Sequence, residues 1–249
     1  MKKIIFAMVV VFAVMAILPS LASAQSLPKV SISVDKSNSP QDLSVTLQIL
    51  LFMTVLTLAP AIIILVTSFV RIVVVFAFLR QAIGTNQMPP NQLIIGLALI
   101  LTAFIMAPTI ERVNQTAIQP YMKAEMNQQQ AYDIGIKPIR DFMLRQVREK
   151  DLALFVSMSH LPQPKTADDI PTYVLVPGYV ISELRIAFQI GFILYIPFLI
   201  IDMVVASVLM SMGMLMLPPI MVSLPFKILL FVLVDGWYLI VKSLVESFR

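Results

Sequence analysis

The chain of 249 residues contains no cysteine and a single histidine, His160. Without cysteine it forms no disulfide, no thiolate zinc site and no cysteine nucleophile. A single histidine excludes most histidine-based metal and catalytic sites, because these combine several ligands or place the histidine beside a nucleophile. No residue stands out as catalytic, metal-binding or cofactor-binding. We therefore expect a protein that is not an enzyme and carries no cofactor.

Charged residues are also scarce. They make up 13% of the chain, whereas an average soluble domain carries about 25%. Hydrophobic residues account for 59% of the sequence. The net charge of +4 is scattered without a basic block, so the sequence gives no indication of nucleic-acid binding. This composition indicates an all-α, membrane-associated protein built from long apolar helices.

Residues 1–24 have the parts of a cleavable secretory signal peptide. A basic start precedes an apolar run from Ile4 to Leu18, and the small residues Ala22 and Ala24 form the cleavage motif. Cleavage after Ala24 would leave residues 25–45 as an exposed N-terminal segment outside the inner membrane. The alternative is an uncleaved first transmembrane helix, which the short apolar run disfavours.

Two apolar regions follow, separated by a charged one. Residues 46–110 contain apolar stretches longer than the roughly 20 residues that span a bilayer, with a turn at residues 84–90. We predict helical hairpin one there, kinked at Pro60. Residues 111–179 mix acidic and basic side chains evenly and predict a polar helical subdomain in the periplasm. Residues 180–249 predict helical hairpin two.

The tip of hairpin two, residues 210–219, has methionine at every second position from Met210 to Met216, then Pro218-Pro219. A spacing of two cannot line one face of an α-helix, and the glycine and prolines oppose a continuous helix. We predict an irregular apolar loop. Connections are normally polar, and irregular backbone at membrane depth is tolerated only where protein buries it or it lines a cavity. The loop therefore indicates a buried constriction, although an isolated methionine is equally explained as core filling.

Charged side chains also interrupt the apolar regions. Such charges are expensive in lipid and normally face a protein interior, a partner or water. We expect Arg71, Asp202 and Asp235 to be buried charges. Glu183 and Arg185 fit equally well at a helix end in the membrane interface.

The distribution of basic residues conflicts with a simple membrane topology. Four spans after a cleaved signal peptide would place the tip of hairpin two in the cytoplasm and the C-terminus outside. The tip has no Lys or Arg, whereas Lys242 and Arg249 lie at the supposedly external end. Positive charge normally stays inside. We infer that hairpin two packs mainly against other protein.

Several blocks of sequence resemble one known family. These blocks are residues 142–155, residues 182–192 leading into 196–202, and residues 224–237. They are similar to the FliP family, the flagellar type III secretion export-gate proteins, and to its injectisome relatives. The resemblance covers roughly residues 46–248. The signal peptide favours the flagellar branch, because it is a flagellar trait within this family.

The resemblance implies a non-enzymatic pore subunit for unfolded flagellar proteins. Five copies would assemble with the FliQ and FliR proteins and with further export-gate proteins, in the inner membrane at the flagellar basal body. The family closes its pore with a methionine gasket, which maps onto Met214-Leu215-Met216. Leu215 stands where the family usually has methionine, which keeps an apolar seal but reduces its flexibility. Met210 and Met212 add methionines to the same pore gate.

Within such an oligomer, Glu183 and Lys227 are candidates for a charge pair between neighbouring subunits. Removing one partner of a buried pair typically costs about 3–5 kcal/mol, and we expect a charge swap to restore assembly in part. Two other functions stay open. One is a small-solute or ion transporter subunit, in which Asp202, Lys227 and Asp235 form a relay. The other is a non-conducting membrane scaffold.

Overall fold

The computed structural model describes residues 40–85, 88–159, 164–214 and 216–248. The expected signal peptide with Ala22 and Ala24, together with His160 and Leu215, lies outside the described residues. All regular structure in the described ranges is helical, which confirms the all-α prediction. The α-helices are α1 (Pro40–Leu65), α2 (Phe69–Ile83), α3 (Asn91–Val113), α4 (Gln119–Met122), α5 (Gln128–Gln146), α6 (Glu149–Met158), α7 (Thr172–Ser211), α8 (Pro219–Leu233) and α9 (Gly236–Glu246).

Three stretches of the described chain are long and apolar enough to cross a membrane. They are Leu47–Leu65 in α1, Asn91–Met122 from α3 to α4, and the whole of α7. The α8–α9 pair, bent by 63°, adds a fourth if it counts as one span. In each of the three stretches, at most 22% of the most apolar part is buried by the rest of the chain. These helices therefore present broad apolar surfaces to lipid or to other protein.

The first apolar region contains a break between α1 and α2, and the kink predicted at Pro60 stays a prediction. Pro60 lies inside α1, and the chain leaves the helix only between Leu65 and Phe69. Side chains with hydroxyl groups explain the break, because they offer the backbone alternative hydrogen bonds. The Thr67 hydroxyl donates to the Ile64 carbonyl at 3.2 Å, and the buried Tyr179 hydroxyl donates to the Thr67 carbonyl at 2.8 Å. The break is therefore fixed to α7.

The chain divides after Met53 into two compact units, and Thr54–Arg249 is the larger one. The described part of the other unit is the first half of α1, whose side chains from Leu47 onward are exposed. Inside the compact unit, α2 is the central helix. Its core-facing residues recur at helical spacing and are almost completely buried: Ile72, Val75, Phe76 and Leu79. They belong to a core with residues of α3, α7, α8 and α9, among them Ala98, Ala187, Phe231 and Leu244.

The polar region does not form a core of its own. Phe142 and Met143 of α5 share a second core with Met106 of α3 and with Leu175 and Tyr179 of α7. Most charged side chains of α5 and α6 are exposed, among them Asp133, Lys137, Asp141, Arg145, Glu149 and Lys150. Asp151 is the exception, because it is buried and accepts from the Ser182 hydroxyl of α7 at 2.9 Å. The subdomain predicted for residues 111–179 thus joins α3 and α7 in one packed unit.

Helix α7 begins at Thr172, before the predicted start of hairpin two at residue 180. Arg140 of α5 holds this start, because its guanidinium donates to the Thr172 hydroxyl at 2.7 Å and to the Ile170 carbonyl at 2.6 Å. Just before it, the Thr166 N–H donates to the Asp169 carboxylate at 2.8 Å. This bond lowers the pKa of that exposed carboxyl.

Gly191 of α7 lets the Phe78 ring of α2 approach the backbone of α7 closely. A Cβ at this position would lie 2.6 Å from ring carbons of Phe78. Gly191→Ala is therefore expected to lower stability by about 1–3 kcal/mol through overpacking, despite the better helix propensity of alanine. Gly96→Ala in α3 is the matched control, because its Cβ would meet nothing within 4 Å. Thermal unfolding in one detergent measures both, and an equal gain in both variants would contradict the close packing at Gly191.

Candidate functional site

The methionine loop connects α7 to α8 at residues 212–218, so Met210 and Ser211 are still helical. The end of α7 is a Schellman cap, in which a residue of positive φ closes the helix with two hydrogen bonds. Gly213 has φ of 75°, its N–H donates to the Met210 carbonyl, and the Met214 N–H donates to the Leu209 carbonyl, both at 3.0 Å. Glycine adopts this conformation without the steric cost of a Cβ. The loop therefore starts from a defined turn.

The methionine side chains of the loop are exposed in the single chain. Their exposed fractions are 60% at Met210, 67% at Met212, 43% at Met214 and 95% at Met216. Leu217 beside them is exposed as well. Contiguous exposed apolar side chains normally mark a surface that another molecule covers. Four of the predicted pore-gate residues, the methionines, thus lie together at one tip, uncovered by the described part of their own chain.

Arg71 is the centre of a buried polar network. It lies on α2 and is 1% exposed, while its partner Glu183 on α7 is 0% exposed. Arg71 Nε donates to Glu183 Oε2 at 2.8 Å, and Nη2 donates to Glu183 Oε1. A planar guanidinium matches a carboxylate in this two-bond geometry, which makes the pair directional as well as attractive. The ion pair therefore joins α2 to α7 inside the core.

The remaining donors of Arg71 bind α5 and the C-terminal residues. Nη1 donates to the Ser247 carbonyl at 2.9 Å and to its hydroxyl at 3.0 Å, and Nη2 donates to Gln146 Oε1 at 3.0 Å. The Phe248 ring lies 3.8 Å from the guanidinium carbon, in cation–π geometry. All five N–H groups of Arg71 are thus used. One side chain fixes four segments of the chain.

Lys227 forms the second buried ion pair. It lies on α8, is 3% exposed, and its Nζ is 2.6 Å from Oδ2 of Asp202 on α7. Nζ also donates to the Ala82 carbonyl at 3.2 Å, in the last turn of α2. Carbonyls at a helix C-terminus lack intrahelical donors, and a lysine there satisfies one and complements the helix dipole. Ser223 donates to Asp202 Oδ1 at 2.6 Å, which fixes the carboxylate.

The structure therefore pairs Glu183 and Lys227 differently from the sequence-based expectation. Glu183 binds Arg71 and Lys227 binds Asp202, each within its own chain. A Glu183–Lys227 contact between two copies stays a prediction, but neither charge needs it for compensation. Arg71 is buried as expected, and Asp202 is partly buried.

Asp235 differs from the expectation of burial, because it is exposed in this chain. It forms the turn between α8 and α9 with φ of 51°, a left-handed conformation that Asp tolerates better than most residues. Residues outside the expected site also take part in the networks, namely Gln146, Ser223, Ser247 and Phe248. Only Ser223 had a usable sequence signal, since it precedes Lys227 by four residues and so shares its helix face.

No group of three His, Asp or Glu side chains in the described ranges is arranged to hold a metal ion. The polar groups of the site are instead bonded to one another across helices. Such networks specify how the helices pack. Their arrangement positions the apolar surfaces and the methionine tip.

Comparison with known proteins identifies the family. The model of the FliP family matches residues 51–244, which include α2, α7, α8 and both ion pairs. The chain belongs to the FliP family. The flagellar biosynthetic protein FliP of Bacillus subtilis is 56% identical over 217 residues, covering 87% of this chain and 98% of that protein. The protein of the same name from Caulobacter vibrioides is 53% identical over 234 residues, covering 94% and 86%. For that of Aquifex aeolicus, identity is 48% over 225 residues, covering 90% and 92%.

Proposed function

We propose that this chain is a pore-forming core subunit of the flagellar type III protein export gate. It passes unfolded flagellar proteins across the bacterial inner membrane during flagellum assembly. Membership of the FliP family supports the flagellar role, since the relatives are named flagellar biosynthetic proteins. The observation that carries the gate role is the exposed methionine tip between α7 and α8.

The physical chemistry of this tip suits a gate. Several copies pointing at a common axis would form a narrow apolar ring, which excludes water and ions by dewetting. Unbranched thioether side chains repack around varied partners, as an unfolded substrate of changing sequence requires. The Schellman cap at Gly213 gives each copy of the loop the same starting geometry. Met212, Met214, Leu215 and Met216 are the proposed seal.

The gate requires an oligomer, because one loop closes nothing. We propose a ring of five copies with the FliQ and FliR proteins, at the basal body in the inner membrane. The broad apolar surfaces of α1, α3 and α7 support this assembly, since the chain itself covers little of them. Such surfaces pack against lipid or against neighbouring helices. The two ion pairs within the chain, Arg71–Glu183 and Asp202–Lys227, hold each subunit in the shape that assembles.

Shortening the loop methionines tests the gate. In the assembled complex in liposomes, Met212, Met214 and Met216 are all changed to Ala. Ion conductance is expected to rise at least about tenfold, which corresponds to a barrier lowered by about 1.4 kcal/mol. The matched control changes Met203 and Met221, which are also exposed but lie on α7 and α8, to Ala. It should leave conductance unchanged.

The outcomes separate the candidate functions. No leak from the loop variant, with normal complex yield, would favour a non-conducting scaffold and contradict the gate. Uptake driven by a solute gradient in the unmodified complex would favour the transporter instead. Loss of flagellar protein export in cells that carry the loop variant, with the control intact, would support the export role.

A further inference from the structure

A groove of about 930 Å³ opens beside α2 and the start of α3, and none of the methionine tip residues lines it. Its polar residues are Arg80, Gln81, Thr85, Asn91 and Gln92, and its apolar residues are Val74, Ala77, Phe78 and Pro90. We name it the Arg80 groove. Its volume falls in the range of sites that hold a small molecule. Neither the ion pairs nor the proposed gate uses it.

The two kinds of lining residue are separated along α2. Val74, Ala77 and Phe78 share one helix face with Gln81. Ala77 is exposed there, whereas Val74 and Phe78 are half-buried, because one side of each packs against neighbouring helices. Arg80 lies in the last turn of α2. The apolar side extends roughly 9 Å back along the helix from Arg80, at 1.5 Å per residue. The groove is therefore charged at one end and apolar at the other.

Arg80 is a cation without a counter-charge in the described residues. Its Nη1 donates to the Asn91 side-chain carbonyl oxygen, which carries no charge. The sequence from Leu43 to Ile110 contains no Asp or Glu, and the other arginine in that stretch, Arg71, is neutralised by Glu183. A second basic side chain, Lys227, lies near Gly84 in the turn after α2, and it is neutralised by Asp202. The groove thus keeps one uncompensated positive charge.

The groove also lies at the end of a candidate membrane span. Asn91, which lines it, is the first residue of the span Asn91–Met122. The ends of a span lie near the lipid headgroups, whose phosphates attract basic side chains. A guanidinium binds a phosphate through paired N–H donors, and the neighbouring apolar wall matches an acyl chain.

We propose that the Arg80 groove binds one anionic phospholipid. Arg80 holds the phosphate, with Gln92 and Asn91 beside it, and one acyl chain lies along Val74, Ala77 and Phe78. The order of charge and apolar surface in the groove matches the order in the lipid. This binding would fix the α2–α3 turn relative to the membrane surface.

The test uses the assembled complex in nanodiscs of equal parts phosphatidylglycerol and phosphatidylcholine with identical acyl chains. Native mass spectrometry then counts the lipids retained after release. The unmodified complex should retain phosphatidylglycerol preferentially. Arg80→Gln should lower that retention roughly tenfold or more, since a charged hydrogen-bonding partner of the phosphate is lost. Arg112→Gln is the matched control, because Arg112 is an exposed arginine near the other end of α3. It should retain the lipid normally.

A second variant tests the apolar wall. Ala77 is exposed in the groove, and Ala77→Phe fills the wall without changing charge. It should reduce retention of both lipids, while thermal unfolding shows that it still folds. Equal retention of both lipids by the unmodified complex would overturn the proposal, as would no effect of Arg80→Gln. Displacement by inorganic phosphate alone would assign the site to a free anion and overturn it as well. Retention by the isolated chain but not by the complex would show that a protein covers the groove, which also overturns it.

Discussion

Glu183→Ala is expected to destabilise the chain by about 3–5 kcal/mol, the usual cost of removing one partner of a buried ion pair. The variant leaves the Arg71 guanidinium in the core with no counter-charge and with two N–H groups lacking their acceptor. Because Arg71 also holds Gln146 and Ser247, its displacement would loosen α5 and the C-terminal residues. Thermal unfolding in detergent, followed through the single tryptophan, measures the loss.

Arg185→Ala is the matched control for this prediction. Arg185 lies on the same helix two residues away but is exposed, so its replacement should change stability by no more than about 0.5 kcal/mol. The double variant Arg71→Met with Glu183→Met should cost less than Glu183→Ala alone, because no buried charge is left behind. If the stability losses of the single variants Arg71→Met and Glu183→Met simply add in the double variant, the two side chains are not energetically coupled.

The helices could be predicted from the sequence because apolar runs of this length have few alternatives in a membrane protein. The partners of the buried charges could not. Arg71 and Glu183 are 112 residues apart, and their contact depends on how α2 and α7 are rotated against each other. Many rotations bury similar apolar area. The sequence therefore identifies Arg71, Asp202, Glu183 and Lys227 as unusual without deciding which of them meet.

The helix boundaries were harder to predict for a related reason. Pro60 is the strongest local signal in the first apolar region, but α1 does not end there. The actual break depends on Tyr179, a residue far along the chain whose hydroxyl binds the Thr67 carbonyl. The loop at the tip was easier, since alternate methionines and Gly213 oppose a helix through their own local properties. Local chemistry could be predicted, whereas tertiary hydrogen bonds could not.

The observed pairs change the expected outcome of a charge swap. Glu183→Lys with Lys227→Glu would place a lysine against Arg71 and a glutamate against Asp202. Both contacts would then be repulsive, and the swapped protein should be less stable than either single variant. Recovery of complex yield on a native gel would instead support a contact between subunits. Exchanging Asp202 and Lys227 with each other is the matched swap, and it should restore part of the stability that either single change removes.

The Asp202–Lys227 pair supports a prediction about asymmetry. Lys227 is 3% exposed, whereas the side chain of Asp202 is 27% exposed. Asp202→Asn leaves a buried ammonium with no counter-charge, for which we expect a loss of about 3 kcal/mol or more. Lys227→Met leaves a carboxylate that still accepts from Ser223 and keeps partial exposure, so its cost should be smaller, about 1–2 kcal/mol.

Ser223→Ala separates the two contributions to this asymmetry. It removes the hydroxyl that donates to Asp202 but leaves the ion pair, so it should cost about 1 kcal/mol by itself. In the Lys227→Met background the same change should cost more, because Ser223 is then the remaining described donor to that carboxylate. Unfolding of the four proteins in one detergent completes the cycle. Equal costs of Ser223→Ala in both backgrounds would mean that Asp202 is solvated on its exposed side. The buried ammonium of Lys227 alone would then determine how tightly α8 is held between α2 and α7.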